Sequence, residues 1–123
     1  MISYSLNSDG IFYVTFSETV TTEDIKNYLS EFEQLEYLPG KLLALYDLRN
    51  AALKIESKDV SIISEITNKS TRNFHTVRTA FLVEKPNVTA YSILFSEEHV
   101  PKKTKREVFS TKEAALDWLK SYM

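Results

Sequence analysis

KLLALYDLRNA, residues 41 to 51, is the one long apolar run in the sequence that has turn-forming residues at both ends. Pro39 and Gly40 precede it, and Asn50 begins its exit. The five residues from Leu42 to Tyr46 are all apolar or aromatic, with no polar alternation. This is typical of a strand that is buried on both faces of a sheet. The stretch therefore predicts the central strand of an α/β sheet.

The patterns on either side of this stretch predict further strands that alternate with helices. Residues 2 to 6 and 11 to 17 are rich in β-branched and aromatic residues, and the turn between them indicates an opening hairpin. Two more strands are expected at residues 78 to 84 and 106 to 109. Helices are predicted to begin at Thr21 or Thr22, at Ser57 as an N-cap, at Pro86, and at Ser110 in a capping box with Glu113. The alternation predicts a single-domain α/β sandwich over residues 1 to 123, with a mixed, mostly parallel sheet of about five strands and about four helices.

The composition limits the classes of function. With 123 residues, of which 43% are apolar, the chain suffices for one core. Fifteen basic and 17 acidic residues give a formal net charge of -2, so nothing global directs the protein to nucleic acid or to an anionic membrane. There is no cysteine, and neither a signal peptide nor an apolar run long enough for a bilayer is apparent. We expect a cytoplasmic protein that binds no nucleic acid and does not insert into membranes.

Asp47 and Arg49 are the first candidates for a binding site. They lie two residues apart at the end of the predicted central strand, so in a strand they project from one face. Open α/β sheets bind their ligands at the carboxyl ends of their strands, and a guanidinium offers a planar fork for carboxylate or phosphate. The alternative is a structural ion pair at the end of the strand.

Three further polar features have both a functional and a structural explanation. Ser57 is a candidate phosphorylation switch or a plain N-cap. Arg72, His75 and Arg78 form a loose basic group before the fourth strand. Four cations in five residues, at positions 102 to 106, suit a phosphate or an acidic partner, although the flanking glutamates favour a solvated loop. Among these features we take Ser57, Arg72 and Arg78 as candidate residues for binding a ligand or a partner.

The aromatic residues suggest a different kind of site. Several of them recur on the predicted helices and could line an apolar pocket against the sheet, and small-ligand pockets are mostly apolar. Helical spacing also explains most of them as ordinary core. The set comprises Tyr28, Phe32, Tyr37, Phe74, Tyr91 and Phe95. A ligand carrier would need a cavity of at least about 300 Å³, whereas an interaction module would show an exposed apolar patch.

The sequence offers no recognisable catalytic pattern. His75 and His99 are the only histidines, and neither belongs to a triad-like or metal-binding arrangement. Gly10 and Gly40 stand alone in turns, so no glycine-rich phosphate loop is present. We therefore expect no enzyme activity, no metal and no cofactor.

Three motifs carry a resemblance to a known family: DLRNA at 47 to 51, a strand followed by a proline-led helix at 80 to 95, and VFSTKEAALDWL at 108 to 119. In their order along the chain, they resemble the small bacterial STAS-like domains, which are related to anti-sigma-factor antagonists and grouped with CRAL-TRIO-like lipid-binding proteins. The resemblance covers nearly the whole chain.

The resemblance implies binding of a protein or a small ligand rather than catalysis. Our leading hypothesis is a non-enzymatic regulatory module that binds a protein partner, or its own copy, through the helix after the central strand and its neighbouring loops. The alternative is a carrier or sensor of a small apolar or amphipathic, lipid-like ligand that is held between helices and sheet, with Arg49 binding its polar head. In anti-sigma-factor antagonists, a serine at the start of the helix after the central strand is phosphorylated. Ser57 takes that place here, within IESKDV at residues 55 to 60, but the second serine and the glycine of the family pattern are missing.

Overall fold

The computed structural model describes residues 1 to 123 and contains one five-stranded sheet and four helices. The nine elements are β1 (Ile2–Leu6), β2 (Phe12–Thr21), α1 (Thr22–Glu33), β3 (Lys41–Lys54), α2 (Ser57–Ser70), β4 (Thr76–Leu82), α3 (Pro86–Ser96), β5 (Thr104–Phe109) and α4 (Lys112–Lys120). The strands lie in the order β1-β2-β3-β4-β5, with β1 antiparallel to β2 and all other pairs parallel. The predicted mixed α/β sheet, the opening hairpin and the central position of β3 are confirmed. None of the four helices combines the length and apolarity that crossing a membrane requires.

The central strand is buried on both faces, as its composition predicts. Leu42 and Ala44 belong to a core of 17 buried residues that the sheet shares with α1, α2 and α3. Leu43 and Leu45 point the other way, into a core of seven buried residues that includes residues of α4. We call these two sides the three-helix face and the α4 face. Because the side chains of a strand alternate, one apolar run serves both cores.

A bulge interrupts the alternation of β3. Thr15 of β2 pairs with Asp47, but Ser17 pairs with Asn50, so β3 contains one more residue than β2 over this interval. An extra residue reverses the face to which the following side chains point. Consequently both Leu48 and Ala51 contribute to the core of the three-helix face. The strand is longer than predicted, because its last residues continue to pair with β2 beyond the bulge.

Two of the predicted helix starts are displaced by one residue. The N-cap of α2 is Glu56, not Ser57, and the Glu56 backbone N–H donates to the Asp59 carboxylate at 3.1 Å. The N-cap of α4 is Thr111, whose hydroxyl accepts from the Ala114 N–H at 3.2 Å, so the capping box predicted at Ser110 is wrong.

The other two helix starts agree with the sequence. The helix α1 begins after Thr21 in a capping box with Asp24. The helix α3 has Pro86 in its first turn, where a fixed φ suits the helix and no N–H is required.

Candidate functional site

A cavity of about 100 Å³ lies between the three-helix face of the sheet and the helices α1, α2 and α3. Sixteen of its 22 lining residues are hydrophobic. Four of the aromatic residues singled out in the sequence are in its wall: Tyr28, Phe32, Tyr91 and Phe95. Of the other two, Phe74 packs against Phe32 with 5.9 Å between ring centroids, and Tyr37 is exposed. The aromatic helices therefore do border an empty space.

Arg106 of β5 is the only charged residue that lines this cavity, and the residue is 9% exposed. Its Nη1 donates to Ser64 Oγ at 2.7 Å and to the Phe95 carbonyl at 3.0 Å. Its Nη2 donates to Asn68 Oδ1 at 3.1 Å. A guanidinium has five N–H groups. One N–H on Nε and one on Nη2 therefore have no acceptor in the protein.

No carboxylate forms an ion pair with Arg106, although the charge of Glu98 is near enough to raise its pKa slightly against the effect of burial. The three ion pairs of the protein all lie elsewhere. Burial lowers the pKa of Arg106 to about 10, so the side chain still carries its charge near neutral pH. Partial compensation comes from the ring of Phe95, because the guanidinium carbon lies 3.9 Å from its centroid. A buried charge without an ionic partner is unusual, because its desolvation is costly.

Two tyrosine hydroxyl groups add polar atoms to the same cavity. The hydroxyl oxygens of Tyr28 and Tyr46 are 2.7 Å apart and share one hydrogen bond. One hydroxyl donates this bond, so the other keeps a proton that it can donate elsewhere. Burial raises the pKa of Tyr46 to about 12 and holds the pKa of Tyr28 well above its ordinary value. Both phenols are therefore neutral donors near neutral pH.

The remaining polar groups of the cavity wall are mostly satisfied within their own helices. The hydroxyls of Thr67 and Ser92 donate to the Ile63 and Val88 carbonyls at 2.8 Å. Those of Ser70 and Thr71 likewise donate to carbonyls one turn earlier. Arg106 and the tyrosine pair are thus the groups best placed to address a bound molecule.

The volume of the cavity corrects one expectation. A carrier of a drug-sized or lipid-like ligand needs at least about 300 Å³, and the observed space is about 100 Å³. An engineered apolar cavity of about 150 Å³ is known to take up benzene. The space as it stands therefore suits an apolar group of only about four carbons.

Asp47 and Arg49 lie at the bulge of β3, outside the lining of the cavity. The carboxylate of Asp47 accepts from the Arg49 Nε at 3.0 Å, from its Nη2 at 2.9 Å and from its backbone N–H at 3.2 Å. Burial alone would raise the pKa of Asp47, but the hydrogen bonds and charge of Arg49 outweigh it and lower that pKa. The pair satisfies a backbone N–H at the irregular position, which is a sufficient structural role. Its assignment to ligand binding stays a prediction.

The other predicted binding residues are separated from one another. Ser57 is exposed in the first turn of α2, and its hydroxyl makes no hydrogen bond. Arg72 is exposed and pairs with Glu33 of α1 at 3.0 Å. Arg78 donates to the carbonyls of Val77 and Lys103, and its guanidinium carbon lies 4.5 Å from the centroid of the Tyr122 ring. The two arginines do not form one basic site, and their roles in binding stay predictions.

The basic run at residues 102 to 106 is not a single solvated patch. The Lys103 ammonium donates to the carbonyls of Thr71, Arg72 and Phe74, which terminates α2. Lys105 is exposed, while Arg106 is buried on the three-helix face. The inward direction of Arg106 was missed in the sequence. The signal that could have found it is the period of two along β5, which places Arg106 on the same face as Val108.

The helix α3 presents an unusual outer surface. It carries no charged side chain, although only Val88 and Ser92 are fully buried. Ala90 is exposed, and Ile93 and Leu94 are 45% and 46% exposed. These three residues have the spacing i, i+3, i+4, so they lie on one side of the helix. We call them the α3 stripe. Surface helices normally turn charged or polar residues to solvent, so the α3 stripe resembles a face that another molecule covers.

Comparison with known proteins shows the class of fold. No family model and no curated protein matches the sequence. Among solved structures, an uncharacterized protein of the DUF3478 family with a SpoIIAA-like fold, from Shewanella loihica PV-4, is similar with a TM-score of 0.61 and 20% identity. The match covers 97% of this chain and 92% of that protein. The anti-sigma factor antagonist SpoIIAA in its unphosphorylated form is similar with a TM-score of 0.61 and 9% identity, over 98% of both chains. The chain therefore has the SpoIIAA-like fold of STAS-like domains, as the resemblance implies.

Proposed function

We propose that this chain is a non-enzymatic regulatory module of the STAS-like type, and that it binds a protein partner, or a second copy of itself, through the α3 stripe. The observation that carries the proposal is the exposure of Ile93 and Leu94 on a helix without a charge. It favours α3 over α2, the helix after the central strand, on which the sequence-based hypothesis places the binding surface. Association buries such apolar surface favourably. The likeness to an anti-sigma factor antagonist supports a regulatory role by analogy of fold.

The test is to place a charge on the α3 stripe. In Leu94→Lys, a buried contact would have to accommodate an ammonium group, so the complex should weaken at least tenfold while the fold remains intact. Tyr37→Lys is the matched control, because Tyr37 is an exposed aromatic residue in the loop before β3. Sedimentation velocity of the purified protein first shows whether the partner is a second copy. If it is not, affinity capture is compared between the wild type and both variants. Equal binding by Leu94→Lys and the wild type would contradict the proposal.

Ser57 is a proposed control point for this interaction. Its hydroxyl is exposed in the first turn of α2, where a phosphate would meet free backbone N–H groups. The carboxylates of Glu56 and Asp59 flank the position and oppose the added charge. Ser57→Glu should therefore change partner affinity without unfolding the protein, and Ser57→Ala is its control. Identical partner affinity for both variants would remove Ser57 from the regulatory role.

A second candidate function is favoured by the cavity on the three-helix face. An apolar space that is lined by one cation without an ion-pair partner suits a sensor of a small amphipathic ligand. Native mass spectrometry of the purified protein, followed by denaturing extraction, tests this candidate. A stoichiometric extra mass recovered as a small organic molecule supports it. A clean mass of the bare chain favours the interaction module alone.

A further inference from the structure

We propose that the cavity binds a short aliphatic monocarboxylate of about four or five carbons, whose carboxylate is held by the Arg106 guanidinium. This inference rests on the second candidate function, the ligand sensor, and names the chemical class of its ligand. The alkyl chain would occupy the apolar part of the cavity, among residues such as Phe32 and Leu29. The Tyr28 and Tyr46 hydroxyl pair would supply a further donor.

The charge of the ligand follows from what Arg106 lacks. Its Nε–H and one Nη2–H donate to no protein atom, and no acidic side chain forms an ion pair with it, since Glu98 acts on Arg106 only through its charge at a greater distance. A carboxylate accepts two parallel N–H bonds from a guanidinium, which is the geometry that these two donors offer. A ligand that carries one negative charge would therefore neutralise Arg106 and satisfy both groups. A neutral ligand would leave the charge as it is.

The residues that line the cavity, together with its volume, determine the polarity and size of the rest of the ligand. Arg106 is the only charged residue among the 22 that line the cavity, so a second charged group on the ligand would find no partner. An apolar tail buried against the aromatic residues gains free energy for each methylene removed from water. The volume of about 100 Å³ limits this tail to a few carbons. Long-chain fatty acids would require α1 or α3 to move outward.

Arg106 also holds two helices together through its hydrogen bonds. It links Ser64 and Asn68 of α2 to the Phe95 carbonyl of α3. A variant without the guanidinium could therefore loosen these helices. The first experiment therefore uses only the wild-type protein. It compares the affinities of two ligands that have the same shape but differ in charge.

The experiment titrates the wild-type protein with pentanoate and, separately, with pentanamide, and follows the backbone and tyrosine signals by NMR at pH 7. A hydrogen bond to a charged group is stronger than one to a neutral group. Pentanoate should therefore bind at least about tenfold more tightly than pentanamide. The shifted signals should cluster around Arg106, Tyr46 and Phe95. Equal affinity for the two ligands, or shifts centred on Arg49, would overturn the assignment of Arg106 as the anchor.

Variants then separate the anchor from the cavity. Arg106→Met keeps much of the volume without the charge, so it should lose the preference for pentanoate and keep weak binding of pentanamide. Lys105→Met, on the neighbouring and exposed residue, is the control and should match the wild type. Tyr46→Phe keeps the guanidinium and should weaken pentanoate only several-fold. Undiminished pentanoate binding by Arg106→Met would also overturn the proposal.

Different outcomes would contradict the ligand-sensor function and the carboxylate class of its ligand. If pentanamide and pentanoate bind equally well, the cavity is a ligand site without an anionic anchor, and only the carboxylate class is wrong. If neither binds at concentrations up to the millimolar range, the ligand-sensor function fails together with its ligand class. The interaction through the α3 stripe is tested independently by Leu94→Lys.

Discussion

The two faces of the sheet are built on the same strands and differ in both packing and charge. On the α4 face, Leu45, Leu82 and Leu119 are at most 1% exposed and belong to one small core. On the three-helix face, a larger core surrounds a cavity, and Arg106 stands in its wall without an acid. The α4 face is thus packed as stability alone would require. The three-helix face departs from that rule, and such departures concentrate at functional sites.

The largest difference between the faces should appear when a buried leucine is shortened. Leu119→Ala on the α4 face leaves a new void in a closed core, so we expect a loss of about 3 to 4 kcal/mol in the free energy of unfolding. Leu29 of α1 borders the cavity and so has fewer packing contacts to lose, and the loss for Leu29→Ala should therefore be smaller, at about 2 kcal/mol. Urea denaturation of both variants measures the difference. A greater loss for Leu29→Ala would contradict the comparison.

A larger side chain should also destabilise the α4 face more than the three-helix face. Ala44 and Ala80 are buried residues of adjacent strands, and they belong to the cores of opposite faces. Ala80→Val overpacks the α4 face and should cost about 1 to 3 kcal/mol. Ala44→Val extends into the cavity, so its cost should stay below about 1 kcal/mol. Thermal unfolding measures the loss in stability of the two valine variants. Equal losses would mean that the cavity cannot accommodate the added methyl groups.

Alkaline pH should weaken the three-helix face first. The pKa of Tyr46 rises from 10.0 to about 12 on folding. Between these values the unfolded chain loses its phenolic proton and the folded chain keeps it, so stability falls as the pH rises. The slope reaches about 1.4 kcal/mol per pH unit for one such group. Tyr46→Phe should flatten the decline of the melting temperature between pH 10 and 11. An unchanged slope in Tyr46→Phe would show that this phenol titrates normally.

Acidic pH should remove the stabilising contribution of Asp47 at the bulge of β3, which is the smallest of these effects. The pKa of Asp47 is lower in the folded protein, because the bonds from Arg49 outweigh burial. The contribution of Asp47 is therefore complete above its unfolded pKa of about 3.9 and is lost as the pH falls through the folded value. Arg49 is 38% exposed, so Asp47→Asn should cost less than about 1 kcal/mol at pH 7. The difference between Asp47→Asn and the wild type should shrink as the pH is lowered towards 3, and a constant difference would contradict this account.

Local patterns predicted the fold because each element carries its own signal. The apolar run around Leu43, with turn residues at both ends, predicts a strand with two buried faces, and Pro86 marks the start of α3. The starts of α2 and α4 were each misplaced by one residue, because several neighbouring residues can cap a helix. The backbone angles that select Glu56 and Thr111 depend on the preceding loop.

The candidate site was less predictable, because its properties arise from tertiary packing. The aromatic residues of α1 and α3 were recognised, but helical spacing is the same for a filled core and for the wall of a cavity. Arg106 was counted with its basic neighbours, since a charged residue in a short edge strand usually faces solvent. Its inward position depends on partners from two other elements, namely Ser64 and Asn68 of α2 and the carbonyl and ring of Phe95 in α3. The period of two along β5 places Arg106 on the face of Val108, but it does not reveal these hydrogen-bond partners.

The helix α3 takes part in both proposed binding events. Its inner side contributes Tyr91, Ser92 and Phe95 to the cavity wall, and its outer side is the α3 stripe. If occupancy of the cavity changes the position of α3, a ligand and a protein partner become linked thermodynamically. Linkage is reciprocal, so the factor by which the ligand changes the affinity for the partner equals the factor by which the partner changes the affinity for the ligand. One uncharged helix would then convert the concentration of a small acid into the degree of assembly of a complex.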